Sequence, residues 1–125
     1  MDEYAILSYV TKQGRTPFDD LYDGLDAQAA RRVYEALTRM EEGNLGDTKS
    51  VGKGVMERRM HQRPGYRIYF GIDGKKLVIL LTGGTKKRQS RDIAQAQVFW
   101  ADYKKRKEIE DAPHSRFQGN GKKAG

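Results

Sequence analysis

The sequence predicts an α+β fold in which helices cover a small antiparallel sheet. Hydrophobic residues recur at helical spacing up to about residue 41, and from Asp47 onward their period changes to two, as in strands. Helical spacing then returns after residue 84. The predicted order of elements is β-α-α-β-β-β-α, with a helical hairpin on one face of the sheet and the C-terminal helix partly covering the other.

The chain is predicted to begin with a strand and a short helix. Tyr4–Val10 is rich in aromatic and β-branched residues, which favour strands. Thr16 can cap a helix that starts at Pro17, because proline suits the first helical position. Gly24 is expected to end this helix.

A second, longer helix follows directly and completes the helical hairpin. Asp26 is expected to cap it, and Gly43-Asn44 to end it. Its apolar residues recur at helical spacing and give it one face for a core: Ala29, Ala30, Val33, Leu37 and Met40.

Three strands and two turns are predicted in the middle of the chain. Val55–His61 and Tyr66–Phe70 flank a turn at Arg63–Gly65, and a tight hairpin turn at Asp73-Gly74 leads into Lys75–Thr82. The last of these strands is apolar on both faces, so we place it centrally and covered on both sides.

The C-terminal part of the domain is predicted to be a helix. We expect Gly83-Gly84 to break the central strand, after which Ile93, Ala96, Trp100 and Tyr103 are spaced to dock against the sheet. Residues 1–107 would then form a single domain. The polar segment 108–125 is expected to be a disordered tail.

The composition excludes several kinds of site. The chain has no cysteine, so disulfides and thiolate metal sites are excluded, and its two histidines, His61 and His114, are far apart in the sequence. We therefore expect no metal and no other cofactor. The N-terminus has no secretory pattern, and the longest apolar run, Leu77–Leu81, is too short to span a bilayer. These features predict a cytoplasmic protein that does not have a membrane as a partner.

Positive charge is concentrated in the middle of the chain. The net charge is +7, but residues 49–91 carry 12 basic and only 2 acidic side chains, Glu57 and Asp73. Such asymmetry favours a face that meets a polyanion, because each neutralised phosphate releases counterions. The alternative is a soluble surface that is merely basic.

The turn at Arg63 sets a register that brings charged residues together. It places Arg59 opposite Arg67 and Glu57 opposite Tyr69, on one face of the sheet. Two arginines in this position repel each other. Glu57, diagonal to Arg67, would compensate in part, either as a surface pair or within a site, and a bound phosphate would compensate better. The alternatives are arginines that point into water, and a Tyr69 that only packs against the last helix. The opposite, core face would carry Tyr66, Ile68 and Phe70.

The segment Gly83–Gln89 combines glycines with three consecutive cations between a strand and a helix. Glycines allow close backbone approach, and free N–H groups at the start of a helix favour an anion. The spacing is not that of a Walker phosphate-binding loop. An ordinary basic loop is the alternative interpretation.

Several sequence blocks, taken together and in order, are similar to those of a known family. They are Gly43–Asp47, Val51–Val55, Glu57–Arg59, Pro64–Phe70, Leu80–Gly84, Lys86–Gln89 and Asp92-Ile93. Over roughly residues 16–103, their order and spacing resemble the RelE/HigB superfamily, specifically its phage-derived "addiction module killer protein" branch. The resemblance implies a RelE-like fold and a toxin of a type II toxin–antitoxin module.

The resemblance also implies an activity, namely metal-independent cleavage of mRNA on the ribosome, and therefore inhibition of translation. Arg59 and Arg67 would clamp the phosphate, and Lys86 would act as base or charge stabiliser. Gln89 would orient the RNA backbone, and Tyr69 would stack on a base or act as acid. The residues expected to hold RNA are Lys49, Lys53, Lys87, Arg88 and Arg91.

Two positions depart from the family's pattern. Thr85 stands where an acidic residue usually follows the double glycine, and Arg58 stands where an apolar residue would face the core. If the position of Thr85 caps the last helix, threonine can replace the acidic residue with little loss, whereas the replacement would impair activity if the acidic residue orients a catalytic lysine through its charge. The expected partners are mRNA, the ribosome and a cognate antitoxin, whose acidic segment would cover the basic face. A non-catalytic nucleic-acid-binding or protein-binding module with a basic face remains the alternative.

Overall fold

The computed structural model describes residues 3–109 and 113–117. Within these residues the chain has an α+β fold with one sheet and three helices. The strands are β1 (Ala5–Tyr9), β2 (Thr48–Ser50), β3 (Met56–Arg59), β4 (Tyr66–Asp73), β5 (Leu77–Thr85) and β6 (His114–Arg116). The helices are α1 (Pro17–Asp23), α2 (Ala27–Glu41) and α3 (Gln89–Lys107), with a short 3-10 turn at Lys86–Arg88 before α3.

The sheet is mixed, with the strand order β2-β3-β4-β5-β1-β6. The prediction of an antiparallel sheet is therefore wrong at one position, because β1 pairs parallel with β5. The local hydrophobic pattern that identifies these strands carries no information on the direction in which two strands far apart in sequence meet. The central placement of β5 is confirmed: Val78, Ile79, Leu80 and Leu81 are all fully buried between β4 and β1.

Two apolar clusters lie on opposite faces of the sheet, as predicted. On one face, α1 and α2 pack Phe18, Tyr22 and Leu37 against Ile68 and Phe70 of β4. The α2 helix is capped as expected, since the Asp26 side chain accepts a hydrogen bond from the Ala29 N–H at 2.8 Å. On the other face, α3 packs Ala96, Trp100 and Tyr103 against β4 and β5.

The double glycine does not break β5, contrary to the sequence prediction. The strand continues to Thr85, and Gly83 and Gly84 pair with Ile68 and Arg67 of β4. Glycine is needed here for close packing, because a Cβ atom on Gly84 would lie 2.0 Å from Oδ2 of Asp92. The start of α3 can thus approach the sheet at this point.

A short strand lies within the segment that we expected to be a polar tail. β6 pairs antiparallel with β1, and Phe117 contacts Phe18 and Tyr22 edge-on at centroid distances of 5.8 and 5.4 Å. These residues pair with the edge of β1 that β5 leaves free. A pairing between segments so far apart in the sequence leaves no local sequence pattern from which it could be predicted. The rest of the expected tail, residues 110–112 and 118–125, lies outside the described residues.

Within the described part, each helix is too short or too polar to cross a membrane.

Candidate functional site

The predicted register between β3 and β4 is confirmed. Arg59 lies opposite Arg67, and Glu57 lies opposite Tyr69. The N-terminal end of α3 covers this part of the sheet, so Glu57 and Tyr69 are fully buried. The face is thus a partly enclosed polar site, and Arg67, with 10% of its side chain exposed, lies at its boundary.

Four side chains from three elements converge on the Glu57 carboxylate. Tyr69 donates its hydroxyl hydrogen to Oε2 at 2.9 Å, and the Gln89 amide donates to the same oxygen at 2.7 Å. The Nε atom of Arg67 lies 3.7 Å from Oε2, and the Lys49 ammonium lies 4.0 Å from Oε1. We call Glu57, Tyr69, Gln89 and Arg67 the Glu57 network. It joins β3, β4 and α3 through one buried charge.

The Glu57 network leaves two buried polar atoms without hydrogen bonds. Oε1 of Glu57 and Nε of Arg67 have no hydrogen-bond partner among the residues that the structure describes. Arg67 uses Nη1 to donate to the Gly65 carbonyl oxygen at 2.9 Å. A buried donor left unpaired costs about 1–3 kcal/mol. An anion that accepted from the Arg67 guanidinium would offset part of that cost.

Tyr69 is placed to support Glu57 rather than to face a ligand. Its ring is fully buried, so no face is open for stacking on a base. Burial raises the pKa of Tyr69 well above its ordinary value, and the hydrogen bond to Glu57 raises it further. The hydroxyl therefore stays protonated and donates inward to the carboxylate.

Asp92 is a second acidic residue beside the Glu57 network. Its carboxylate lies over Gly84, where a larger residue would clash. Burial raises the pKa of Asp92, although the nearby charges of Arg88 and Arg91 act in the opposite direction. Thr85, which stands in the usual place of an acidic residue, precedes the 3-10 turn but makes no side-chain capping hydrogen bond.

The basic segment after β5 forms an open cavity next to the Glu57 network. Its volume is about 440 Å³, within the range of small-ligand pockets, and consecutive residues from Lys86 to Arg91 line it. The Lys86, Lys87, Arg88 and Arg91 side chains are exposed there. Gln89 belongs to both this cavity and the Glu57 network, so it links the buried carboxylate to the basic surface.

Arg59 has an acidic partner outside the Glu57 network. Its Nε lies 3.3 Å from Oδ2 of Asp47, and Nε2 of His61 lies 2.6 Å from the same oxygen. Burial alone would raise the pKa of Asp47, but the hydrogen bonds from Arg59 and His61 outweigh it and lower the pKa. Arg59 is thus partly neutralised, although 41% of its side chain remains exposed.

The structure brings together some of the predicted site residues and separates others. Arg67, Tyr69, Gln89 and Lys49 meet at Glu57. Lys53 lies apart from them, exposed in the turn between β2 and β3 with a φ of 54°. The sequence analysis did not assign a site role to Glu57, Asp92 or Asp47. A signal existed for Glu57, because it is one of 2 acids in the strongly basic segment 49–91 and its register partner is Tyr69.

The described residues offer no group of three His, Cys, Asp or Glu side chains that could hold a metal ion. The donors near the basic surface are instead the Arg67 guanidinium, the ammonium groups of nearby lysines and the Gln89 amide. Such a set binds an oxyanion through hydrogen bonds and charge.

Comparisons with known proteins identify the family of the chain. The family described as "Phage derived protein Gp49-like (DUF891)" matches residues 20–109. A protein of Haemophilus influenzae (strain KW20 Rd), described as an uncharacterized protein, is 41% identical over 71 residues, which are 57% of this chain and 72% of that protein. No solved structure matches the chain. The chain therefore belongs to the Gp49-like family of phage-derived proteins, a family associated with addiction-module toxins.

Proposed function

We propose that this protein is the toxin of a type II toxin–antitoxin module and that it acts as a metal-independent endoribonuclease of the RelE/HigB type. The observation that carries the proposal is the Glu57 network, which holds Arg67 and Gln89 beside a row of exposed cations. This combination of a largely buried guanidinium and an exposed basic surface suits a phosphodiester. Membership of a family associated with addiction-module toxins supports the same function.

The reaction proposed is attack of a ribose 2′-oxygen on the adjacent phosphorus. The new P–O2′ bond forms as the P–O5′ bond breaks, which leaves a 2′,3′-cyclic phosphate and a 5′-hydroxyl. The 2′-hydroxyl proton passes to a base, and the leaving 5′-oxygen takes up a proton. Arg67 and Arg59 would neutralise the nonbridging oxygens as their charge increases, and Lys86 would act as base or as a further stabilising charge.

The remaining residues of the Glu57 network would act by positioning. Glu57 accepts hydrogen bonds from Tyr69 and Gln89 and thereby fixes the side chain of Gln89 at the edge of the basic cavity. The Gln89 amide would orient the RNA backbone. Tyr69 is a positioning residue in this proposal, because its hydroxyl hydrogen is engaged with Glu57 and its ring is enclosed.

Basic residues around the Glu57 network would bind the rest of the RNA strand. Their exposure leaves them free to contact phosphates, and each contact would add a salt-dependent term to the affinity. They are Lys49, Lys53, Lys87, Arg88 and Arg91. In the cell the substrate would be cytoplasmic mRNA on the ribosome, which would help to position the scissile bond.

A cognate antitoxin would neutralise the protein by covering the same surface. An acidic, amphipathic segment could pair with the cations of residues 86–91 and exclude RNA from Arg67. The antitoxin and the RNA would then compete for one face. Co-expression of the neighbouring short gene, where there is one, should restore growth.

The test is induction of the chain in a bacterial host, followed by growth and by mapping of mRNA ends. Wild type should arrest growth and produce ends with 2′,3′-cyclic phosphates during translation. The Arg67→Ala/Lys86→Ala double variant should do neither. A matched control is Lys75→Ala/Lys76→Ala, which removes two exposed cations at the β4–β5 turn, the far end of the sheet from Arg67.

In vitro cleavage of ribosome-bound mRNA should not require a thiophilic metal ion when a nonbridging oxygen of the scissile phosphate is replaced by sulfur, since no step requires a divalent ion, and this assay keeps the Mg²⁺ that holds the ribosome together. Restoration of cleavage of the sulfur-substituted RNA by added Mn²⁺ would contradict the metal-independent step. A second candidate is a binding module without catalysis. It is favoured by Thr85, which stands in the usual place of an acidic residue and makes no capping hydrogen bond that would explain the replacement. Salt-dependent binding of RNA by folded wild type without cleavage or growth arrest would establish that candidate instead.

A further inference from the structure

A second basic cavity lies at the outer edge of the sheet, where β3 ends beside α2. Its volume is about 220 Å³. Four arginines line it, Arg32 and Arg39 from α2 and Arg58 and Arg59 from β3, together with the carboxylates of Glu35 and Asp47. The ionised side chains therefore leave a positive balance in a small space.

Arg58 is the unusual member of this cavity, because it is a cation at a position that faces the helical hairpin. Only 8% of the residue is exposed. Its Nη1 donates to the Leu45 carbonyl oxygen at 3.1 Å, and its Nε has no hydrogen-bond partner among the described residues. The guanidinium lies against Gly46, where a Cβ atom would come within 2.5 Å of Cζ. A nine-tenths buried guanidinium thus has unused hydrogen-bonding capacity at the wall of the cavity.

The charges around Arg58 favour an anion as a further partner. Burial lowers the pKa of Arg58, and the positive charge of Arg39 lowers it further, whereas Asp47 acts against this. Asp47 is itself engaged by Arg59 and His61. The carboxylates present therefore do not fully offset the buried cation.

We propose that this cavity binds a backbone phosphate of single-stranded RNA outside the cleavage site. Its size suits one anionic group rather than a whole nucleotide or a folded segment. Guanidinium groups from two elements can share the several acceptor oxygens of a phosphate. Arg59 lines the cavity and also lies opposite Arg67 on the neighbouring strand, so a strand bound at the Glu57 network can continue over the sheet edge. The choice of RNA rests on the proposed function.

The first measurement follows the Arg58 Nε–Hε signal by ¹⁵N–¹H NMR while inorganic phosphate is added to the full chain. Phosphate should shift this signal in a saturable way, and Arg39→Gln should weaken the response. Arg31→Gln is the matched control, because Arg31 lies on the same helix, is exposed and does not line the cavity. An Arg58 signal that does not respond to phosphate would overturn the proposal.

The second measurement is the salt dependence of binding to a short 2′-O-methyl RNA, which lacks the attacking hydroxyl and cannot be cut. Loss of one phosphate contact should reduce the slope of log K against log salt by about 0.7 in Arg39→Gln and in Arg58→Leu. Arg31→Gln should keep the wild-type slope. Arg39→Gln changes only an exposed side chain, so the test stands even if Arg58→Leu fails to fold.

Other results identify a different occupant and overturn the proposal. A phosphate response at Arg58 with unchanged RNA slopes would mean a site for free phosphate. A glutamate-rich peptide whose affinity falls in Arg39→Gln, again with unchanged RNA slopes, would mean a carboxylate site for a protein. Failure of the proposed function is distinguishable: wild type would then not cleave RNA, while the slope change at this cavity would persist.

Discussion

At each end of α3, a carboxylate accepts a hydrogen bond from a tyrosine hydroxyl. The two ends differ in whether the neighbouring guanidinium has a hydrogen-bond partner for its Nε atom. At the N-terminal end, Glu57 accepts from Tyr69 and Gln89, and Nε of Arg67 has no hydrogen-bond partner among the described residues. At the C-terminal end, Asp102 accepts from Tyr9 at 2.5 Å and from Nε of Arg106 at 2.8 Å.

At the C-terminal end, ionised side chains are paired with one another, with tyrosine hydroxyls or with the backbone. Arg106 also donates to the carbonyl oxygen of Val10, and Asp73 pairs with Tyr103 and Lys107. These contacts join α3 to β1 and to the end of β4, so their role is to hold the helix on the sheet. The comparison teaches that a buried charge alone does not indicate a functional site. An unsatisfied guanidinium next to an open basic cavity does.

The largest expected effect is a loss of RNA cleavage when the arginine at the N-terminal end of α3 is replaced. Replacing the arginine at the C-terminal end should instead reduce stability. Arg67→Gln should reduce RNA cleavage roughly 10²–10³-fold, because it removes a charge that stabilises the transition state. Arg106→Gln should lower the free energy of unfolding by about 3 kcal/mol, because it leaves a mostly buried carboxylate without its cation. Cleavage per folded molecule should be unchanged in Arg106→Gln. Single-turnover cleavage and urea unfolding measure the two quantities.

The contrary outcome would be equal losses of cleavage per folded molecule in both variants. The two ends of α3 would then not differ in function, and the assignment of Arg67 to the reaction would fail. Circular dichroism of each variant at the assay temperature establishes the folded fraction that this comparison requires.

The second prediction concerns the C-terminal end alone and uses alkaline pH. Burial, together with the hydrogen bond to Asp102, raises the pKa of Tyr9 from 10.0 to about 12. Since the folded state holds this proton more tightly, its contribution is complete below pH 10 and is lost as the pH rises toward about 12. The contribution is at most about 3 kcal/mol.

Urea unfolding of wild type and Tyr9→Phe across that pH window tests this expectation. The stability advantage of wild type over Tyr9→Phe should shrink as the pH rises. The control is Tyr34→Phe, which removes the hydroxyl of a tyrosine that is 45% exposed on α2. A wild-type advantage over Tyr9→Phe that is independent of pH would contradict the raised pKa.

The sequence predicted those parts of the molecule that depend on local pattern. The turn at Arg63–Gly65 fixed the register of β3 and β4, and with it the pairing of Arg59 with Arg67. The parallel pairing of β1 with β5, and the addition of β6 to β1, depend on contacts between distant segments and have no such signal.

The sequence predicted which residue types form the site, but it did not predict how deeply these residues are buried. Alternation placed Tyr69 on the correct face, yet the burial of that face follows from how closely α3 approaches the sheet. That approach depends on Gly84, whose missing side chain leaves room for Asp92, and the pattern at this position was interpreted as a strand end. Gln89 reaches Glu57 across 32 residues of sequence, a contact that spacing alone does not indicate.

The smallest expected effect tests whether the Gln89 side chain, held by Glu57, positions the RNA. Gln89→Ala removes the 2.7 Å hydrogen bond to Glu57 and the amide at the basic cavity, and it should lower cleavage about tenfold, the equivalent of about 1.4 kcal/mol. Gln97→Ala is the matched control on the same helix, because its amide donates to the Val51 carbonyl oxygen at 3.0 Å and does not contact the Glu57 network. Both variants lose one side chain–acceptor hydrogen bond, so their stabilities should fall by similar amounts of about 1 kcal/mol. A difference in cleavage between them therefore reports positioning at the site, and equal cleavage would mean that Gln89 serves only to hold α3 on the sheet.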